Sequence, residues 1–170
     1  MDKINTPLTD ADVERFLGNK ACILKYSELK NYKTIENLLP AVLDYKIILI
    51  EDRYNSGHWV CICRTRTEYY FFNSYGAGPD TDWRFVSRMT RLILGEETNE
   101  LTRLLRPTKW AYNHVRYQHG STQTCGRWCV LFISLVCKMM YSMDEVHKFL
   151  KNKKLESKLS YDEIVCRLVG

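Results

Sequence analysis

Between Lys46 and Asn73 the hydrophobic pattern changes rhythm. Lys46–Asp52 (KIILIED) is a continuous apolar run, the mark of a buried strand. Arg53–Gly57 reads as a turn. His58–Arg64 (HWVCICR) alternates, and Glu68–Asn73 (EYYFFN) is rich in the aromatics that favour strands. Thr65-Arg66-Thr67 is short enough to join these two as a hairpin. Upstream, Thr9 with Asp12 gives a capping signal for a helix over Asp10–Leu17 that stops at Gly18. Lys20–Tyr45 is mixed, with a short helix over Ile35–Leu39 broken by Pro40. Downstream, helical period returns over Asp82–Leu94, with Phe85, Met89, Leu92 and Ile93 as the apolar stripe, and a further helical stretch ends near Leu105, before Pro107. Tyr112–Tyr117 is a short β-type segment, and Cys125–Tyr141 is the most hydrophobic helix of the chain. Ser142 with Glu145 and Ser160 with Glu163 are capping boxes that open two C-terminal helices. The pattern is α+β: one domain over residues 1–170, with a central, mostly antiparallel sheet and helices packed around it.

Composition narrows the class. With 45% hydrophobic and 26% charged residues, the 170-residue chain excludes a disordered tail, a collagen-like fibre and a coiled coil. Its longest apolar stretch, Trp128–Cys137, is too short to span a bilayer, so no membrane partner is expected. The start, MDKINTPLTD, has no apolar secretory region, which points to a reducing compartment. The seven cysteines therefore do not read as a disulfide framework. Cys61, Cys137 and Cys166 read as small buried hydrophobes, and Cys61-x-Cys63 as core packing on one strand face. A net charge of +5 permits weak nucleic-acid contact through a basic surface, while Lys151-Asn152-Lys153-Lys154 reads as a solvated helix end.

Four positions carry chemistry. Cys125 opens the most hydrophobic helix, where free N–H groups and the helix dipole favour a thiolate. Gly126 leaves the space beside the sulfur open to a substrate backbone. His58 follows Gly57 at a strand start and is the natural base for a thiol, with Trp59 beside it to limit water. Asn73 ends the next strand, and a hairpin brings it close to His58, where its carbonyl fixes the imidazole tautomer. Gln118, seven residues before Cys125, supplies a side-chain N–H for an oxyanion hole; Gln123 competes for that role.

The order of these signals resembles the adenovirus-type protease (adenain) and the related Ulp-type SUMO-specific cysteine proteases. The matching words are GHW (57–59), YYFFNSYG (69–76), YQ (117–118) and CGRWCVLF (125–132), so the likeness covers Gly57 to Phe132. The resemblance implies an adenain/Ulp-like fold with a buried helix carrying the nucleophile. It puts His58 at the base position, Asn73 at the acid position, Gln118 at the oxyanion position and Cys125 as the nucleophile. Asn73 departs from the family, which usually has Asp or Glu there. The implied activity is a cysteine endopeptidase acting at glycine-containing sites (Gly-Gly-X or Gly-X), without cofactor or metal. Trp59 and Tyr75 are expected to flank a channel that excludes larger side chains. Small size and adenain-like motifs imply a viral or virus-like-element monomer in the host cytoplasm, virus factory or virion. Its partner there is a capsid or structural polyprotein. Two rivals share the fold: a SUMO or ubiquitin-like deconjugating enzyme, and a non-catalytic peptide-binding module, which Asn73 favours. A third rival, a zinc site from His114, His119, Cys125 and Cys129, has off-pattern spacing.

Overall fold

A computed structural model describes residues 2–19, 22–53, 56–81, 86–96 and 98–170. Five strands form one sheet in the order β1 (Ile23–Lys25), β2 (Tyr45–Arg53), β3 (Ser56–Arg64), β4 (Tyr69–Phe72) and β5 (Trp110–Tyr112). The central pairs β2–β3 and β3–β4 are antiparallel, as the hairpin reading requires. The two edge pairs, β1–β2 and β4–β5, are parallel, so the sheet is mixed.

Period-2 alternation sorts the strand residues onto two faces. Ile47, Cys61, Cys63, Tyr70 and Phe72 pack against one helical layer. That layer contains α1 (Asp10–Leu17), α5 (Cys125–Ile133), α6 (Met143–Ser157) and α7 (Tyr161–Leu168). Ile48, Ile50, Val60, Ile62, Tyr69 and Phe71 face the other layer, built from a 3-10 segment (Tyr26–Asn31), α2 (Ile35–Leu38) and α4 (Glu100–Leu105). Both faces are covered, which explains the unbroken apolar run in β2.

The capping signals are real. Thr9 with Asp12, Ser142 with Glu145 and Ser160 with Glu163 all form reciprocal boxes, and Gly18 ends α1 in the left-handed region at φ 67°. The long buried helix is shorter than its pattern. Regular α geometry stops at Ile133, and Ser134–Lys138 continues as a π turn before Met139 ends it. The β segment expected over Tyr112–Tyr117 lies earlier, at Trp110–Tyr112, because Asn113 leaves the ladder and His114 takes φ 53°.

The reading of Asp82–Leu94 needs more correction. Residues 82–85, Phe85 among them, lie outside the described residues; the described helix, α3, is Arg88–Leu94. Its apolar stripe faces solvent, with Met89 65%, Leu92 55% and Ile93 76% exposed. The helix turns Thr90, Arg91 and Leu94 inward instead, and buries Glu96 just beyond its end.

Candidate active site

The site forms where β3 begins, β4 ends and α5 begins. Gly57 is forced by packing: a Cβ there would sit 2.0 Å from the Ile50 carbonyl oxygen, so no other residue lets β3 approach β2 at this bulge. That approach sets His58 on the rim of a cavity of about 190 Å³. The same cavity is lined by Tyr75, Gln118, Gln123 and Cys125, with Gly57, Asp52 and Val86 around its edge.

The structure brings His58 and Asn73 together: His58 Nε2 lies 2.8 Å from Asn73 Oδ1. The Tyr75 backbone N–H also donates to Asn73 Oδ1, at 2.9 Å. A backbone N–H can only donate, so that amide atom is the carbonyl oxygen, and His58 Nε2 must be the second donor. The neutral ring is thereby held as the Nε2–H tautomer, and Nδ1 keeps its lone pair. The Tyr75 ring stacks on the imidazole with centroids 4.5 Å apart.

Asn73 is itself braced by a residue that the sequence reading did not single out. Asn113 Oδ1 accepts the Asn73 N–H at 3.1 Å, and Asn113 Nδ2 donates to the Asn73 carbonyl at 2.7 Å and to Val115 O at 2.8 Å. Both asparagines are buried.

Gln118 is held in place by Ser74 and not by a strand end. The N–H groups of Tyr117 and Gln118 both donate to the Ser74 carbonyl, at 2.8 and 3.0 Å. The Ser74 hydroxyl donates to Gln118 Oε1 at 2.6 Å, and Gln118 Nε2 donates to Thr122 O at 2.9 Å. Because Thr122 O is an acceptor, the amide orientation is settled, and one Nε2–H remains beyond that bond. Gln118 is buried, whereas Gln123 is exposed, with its backbone N–H donating to Ile4 O at 2.8 Å.

Cys125 is half-buried and is the first residue of α5. It also borders a second cavity of about 510 Å³, walled by Pro7, Leu8, Ala11, Trp59 and Gly126. The two cavities share Gly57, Gln123 and Cys125. Tyr75 lines the smaller cavity and Trp59 the larger, with Cys125 bordering both. Gly126 serves packing: a Cβ there would lie 3.0 Å from the Trp59 ring, so the open space beside the helix start is taken by indole.

The proposed zinc ligands are not assembled. The His114 ring rests on Tyr112 at 3.8 Å, His119 Nδ1 pairs with the Ser121 hydroxyl at 2.9 Å, and Cys129 is buried with its Sγ 3.5 Å from Trp59 O. Among the described residues no group of three or more His, Cys, Asp or Glu is placed to hold a metal ion. No described helix is long and apolar enough to cross a membrane.

One flank of the smaller cavity is unlike the rest. Val86 lines it, and ten residues on, Glu96 Oε1 accepts the Glu51 N–H at 2.5 Å. Glu96 Oε2 is buried with no hydrogen-bond partner among the described residues. Burial first, and then the Glu51 and Asp52 carboxylates, push Glu96 up to about 7 against the pull of its backbone bond and Arg91.

The chain belongs to the same family as the "Uncharacterized protein V9" of Sputnik virophage. The two are 34% identical over 163 residues, which covers 93% of this chain and 91% of the virophage protein. No family model matches the chain.

Proposed function

We propose that this protein is a cysteine endopeptidase that cuts peptide bonds at glycine-containing sites and matures structural proteins of a virus. The observation that carries this reading is the His58–Asn73 bond at 2.8 Å beside the helix-opening Cys125, with all the expected reacting groups bordering one cavity. In the proposed reaction His58 Nδ1 takes the proton of the Cys125 thiol, and the sulfur attacks the scissile carbonyl. The oxyanion that develops receives the remaining Gln118 Nε2–H and the backbone N–H of Cys125. The imidazolium returns its proton to the leaving amine, and water then hydrolyses the thioester with His58 as base.

Asn73 acts here as a positioning residue without charge. It holds the tautomer, as the third member of a Cys-His-Asn set does, but does not neutralise the imidazolium. The fixed amide orientation at Asn73 and Gln118 favours catalysis over a binding module, which has no use for a defined imidazole tautomer. The viral part of the proposal draws on the Sputnik relative, and the peptidase part on the adenain-like motifs.

Incubation with structural proteins of the same virus, followed by mass spectrometry of new termini, tests the reading. New termini next to glycine with the wild type, and none with Cys125→Ala, are expected. Identical termini from both proteins would refute it.

A further inference from the structure

The loop from Gln118 to Cys125 carries both oxyanion donors of the proposed reaction, one at each end. Inside the loop, Gln118 Nε2 donates to Thr122 O at 2.9 Å, the Thr122 N–H donates to His119 O at 3.2 Å, and the Thr122 and Thr124 hydroxyls lie 3.4 Å apart; a further anchor comes from outside it. Thr124 precedes α5 but its side chain does not cap the helix. Instead, its hydroxyl donates to Oδ1 of Asp162 at 2.5 Å. The backbone N–H of His119 donates to Oδ2 of the same carboxylate at 2.9 Å. The Trp128 Nε1–H, one turn into α5, points to Oδ1 at 3.4 Å. One buried carboxylate on α7 therefore holds the residue after Gln118, the residue before Cys125 and the first turn of α5.

The neighbouring Tyr161 adds an apolar clamp. Its ring meets Tyr117 edge-on at 5.0 Å and Trp128 at 6.4 Å. Tyr117 in turn stacks on Trp128 at 5.1 Å. A buried carboxylate costs desolvation unless its lone pairs are filled, and here the donors come from the loop and the helix that it joins.

We infer that Asp162 is the positioning residue of the oxyanion hole, acting through the His119 N–H and the Thr124 hydroxyl on the two donors that flank them. This rests on the peptidase reading of Cys125 and Gln118. It assigns a task to the C-terminal helix, which lies outside the region of adenain likeness. The carboxylate accepts on both oxygens. An alanine removes both acceptors and leaves the His119 N–H and the Thr124 hydroxyl without them.

The test compares Asp162→Ala with Val165→Ala, a buried α7 change whose side chain makes no hydrogen bond to the loop. Three quantities are read on the full chain: kcat and KM on a glycine-containing peptide, the rate of Cys125 alkylation by iodoacetamide, and hydrogen exchange of the His119 amide. Asp162→Ala is expected to lower kcat by about 10- to 100-fold. KM and alkylation should stay within about threefold, since neither needs an oxyanion. His119 should lose protection, while Val165→Ala keeps both kcat and that protection. Equal losses of kcat in the two variants, or parallel losses of kcat and alkylation, would make Asp162 merely structural and overturn the inference. If the wild type cuts nothing, the peptidase reading fails. The His119 exchange then still decides whether Asp162 orders the loop, and unchanged protection overturns that too.

Discussion

The two flanks of the smaller cavity are built on opposite principles. On the flank formed by Asn73, Ser74, Asn113 and Gln118, buried polar atoms are matched to one another: Asn73 Oδ1 takes two donors, Asn113 makes three bonds, and the Gln118 amide is bound at both its oxygen and its nitrogen. Beside Val86, the segment 86–96 holds a buried carboxyl with one oxygen bonded and one without a partner among the described residues, and Met89, Leu92 and Ile93 of α3 point outward. A buried network of mutually bonded amides favours a single geometry, whereas an under-satisfied carboxyl leaves its segment's attachment dependent on protonation. The contrast separates the part of the site suited to holding reacting groups from the part whose stability should move with pH.

Gln118 offers the largest effect on the satisfied flank. Removing one oxyanion donor lowers rate by about 10²–10³-fold, and the loss should fall on kcat. Gln118→Ala is expected to bind a glycine-containing peptide nearly normally, cut it slowly, and leave iodoacetamide alkylation of Cys125 almost unchanged. Gln123→Ala should behave like wild type; the reverse ranking of the two glutamines would place the hole in the exposed loop.

A smaller loss is expected at Asn73. Asn73→Ala should weaken turnover by far less than His58→Ala, because an orienting acceptor is partly replaced by water whereas the base is not. Asn73→Asp should restore a charge beside the imidazolium and match or exceed the wild-type rate. Steady-state kinetics on the three variants checks this order, and equal losses for Asn73→Ala and His58→Ala would break it.

The under-satisfied flank gives the smallest effect and a different signature. Unfolded Glu96 ionises near its ordinary value of 4.5, but the folded group does so only near 7. Between those values the folded form binds the extra proton, so stability is full below about 4.5 and declines as pH rises through about 7. Glu96→Gln keeps an acceptor for the Glu51 N–H and does not titrate. It should raise stability at pH 8 by about 1–3 kcal/mol over wild type, with the gap closing toward pH 5. Thermal melts at the two pH values measure this, and a gap of the same size at both would contradict it.

The same contrast explains what the sequence made legible. Strands β2 to β4, α1 and the two C-terminal capping boxes follow from period and cap chemistry, which are local. So did the nearness of His58 and Asn73, because a hairpin closes over three residues. The edge strands β1 and β5 are three residues each and parallel to their neighbours. They owe their form to the sheet beside them and leave no pattern of their own. The outward stripe of α3 defeats amphipathic reading because Glu96 and the polar end of β2 decide which side faces in. Asn113, Ser74 and Asp162 are single polar residues whose meaning lies in distant partners, 38 to 44 positions away along the chain. No spacing rule finds them, although Asp162 stands inside the Ser160–Glu163 box that the sequence does display.

The central claim is that Cys125 is a nucleophile served by His58. A peptide whose C-terminal glycine carries a thiol-reactive electrophile tests it most directly, with intact mass and peptide mapping as the readout. One adduct per chain, on Cys125 and strongly slowed in His58→Ala, is the predicted result. Labelling spread over the other six cysteines, or a Cys125 adduct that forms equally fast without His58, would contradict the account.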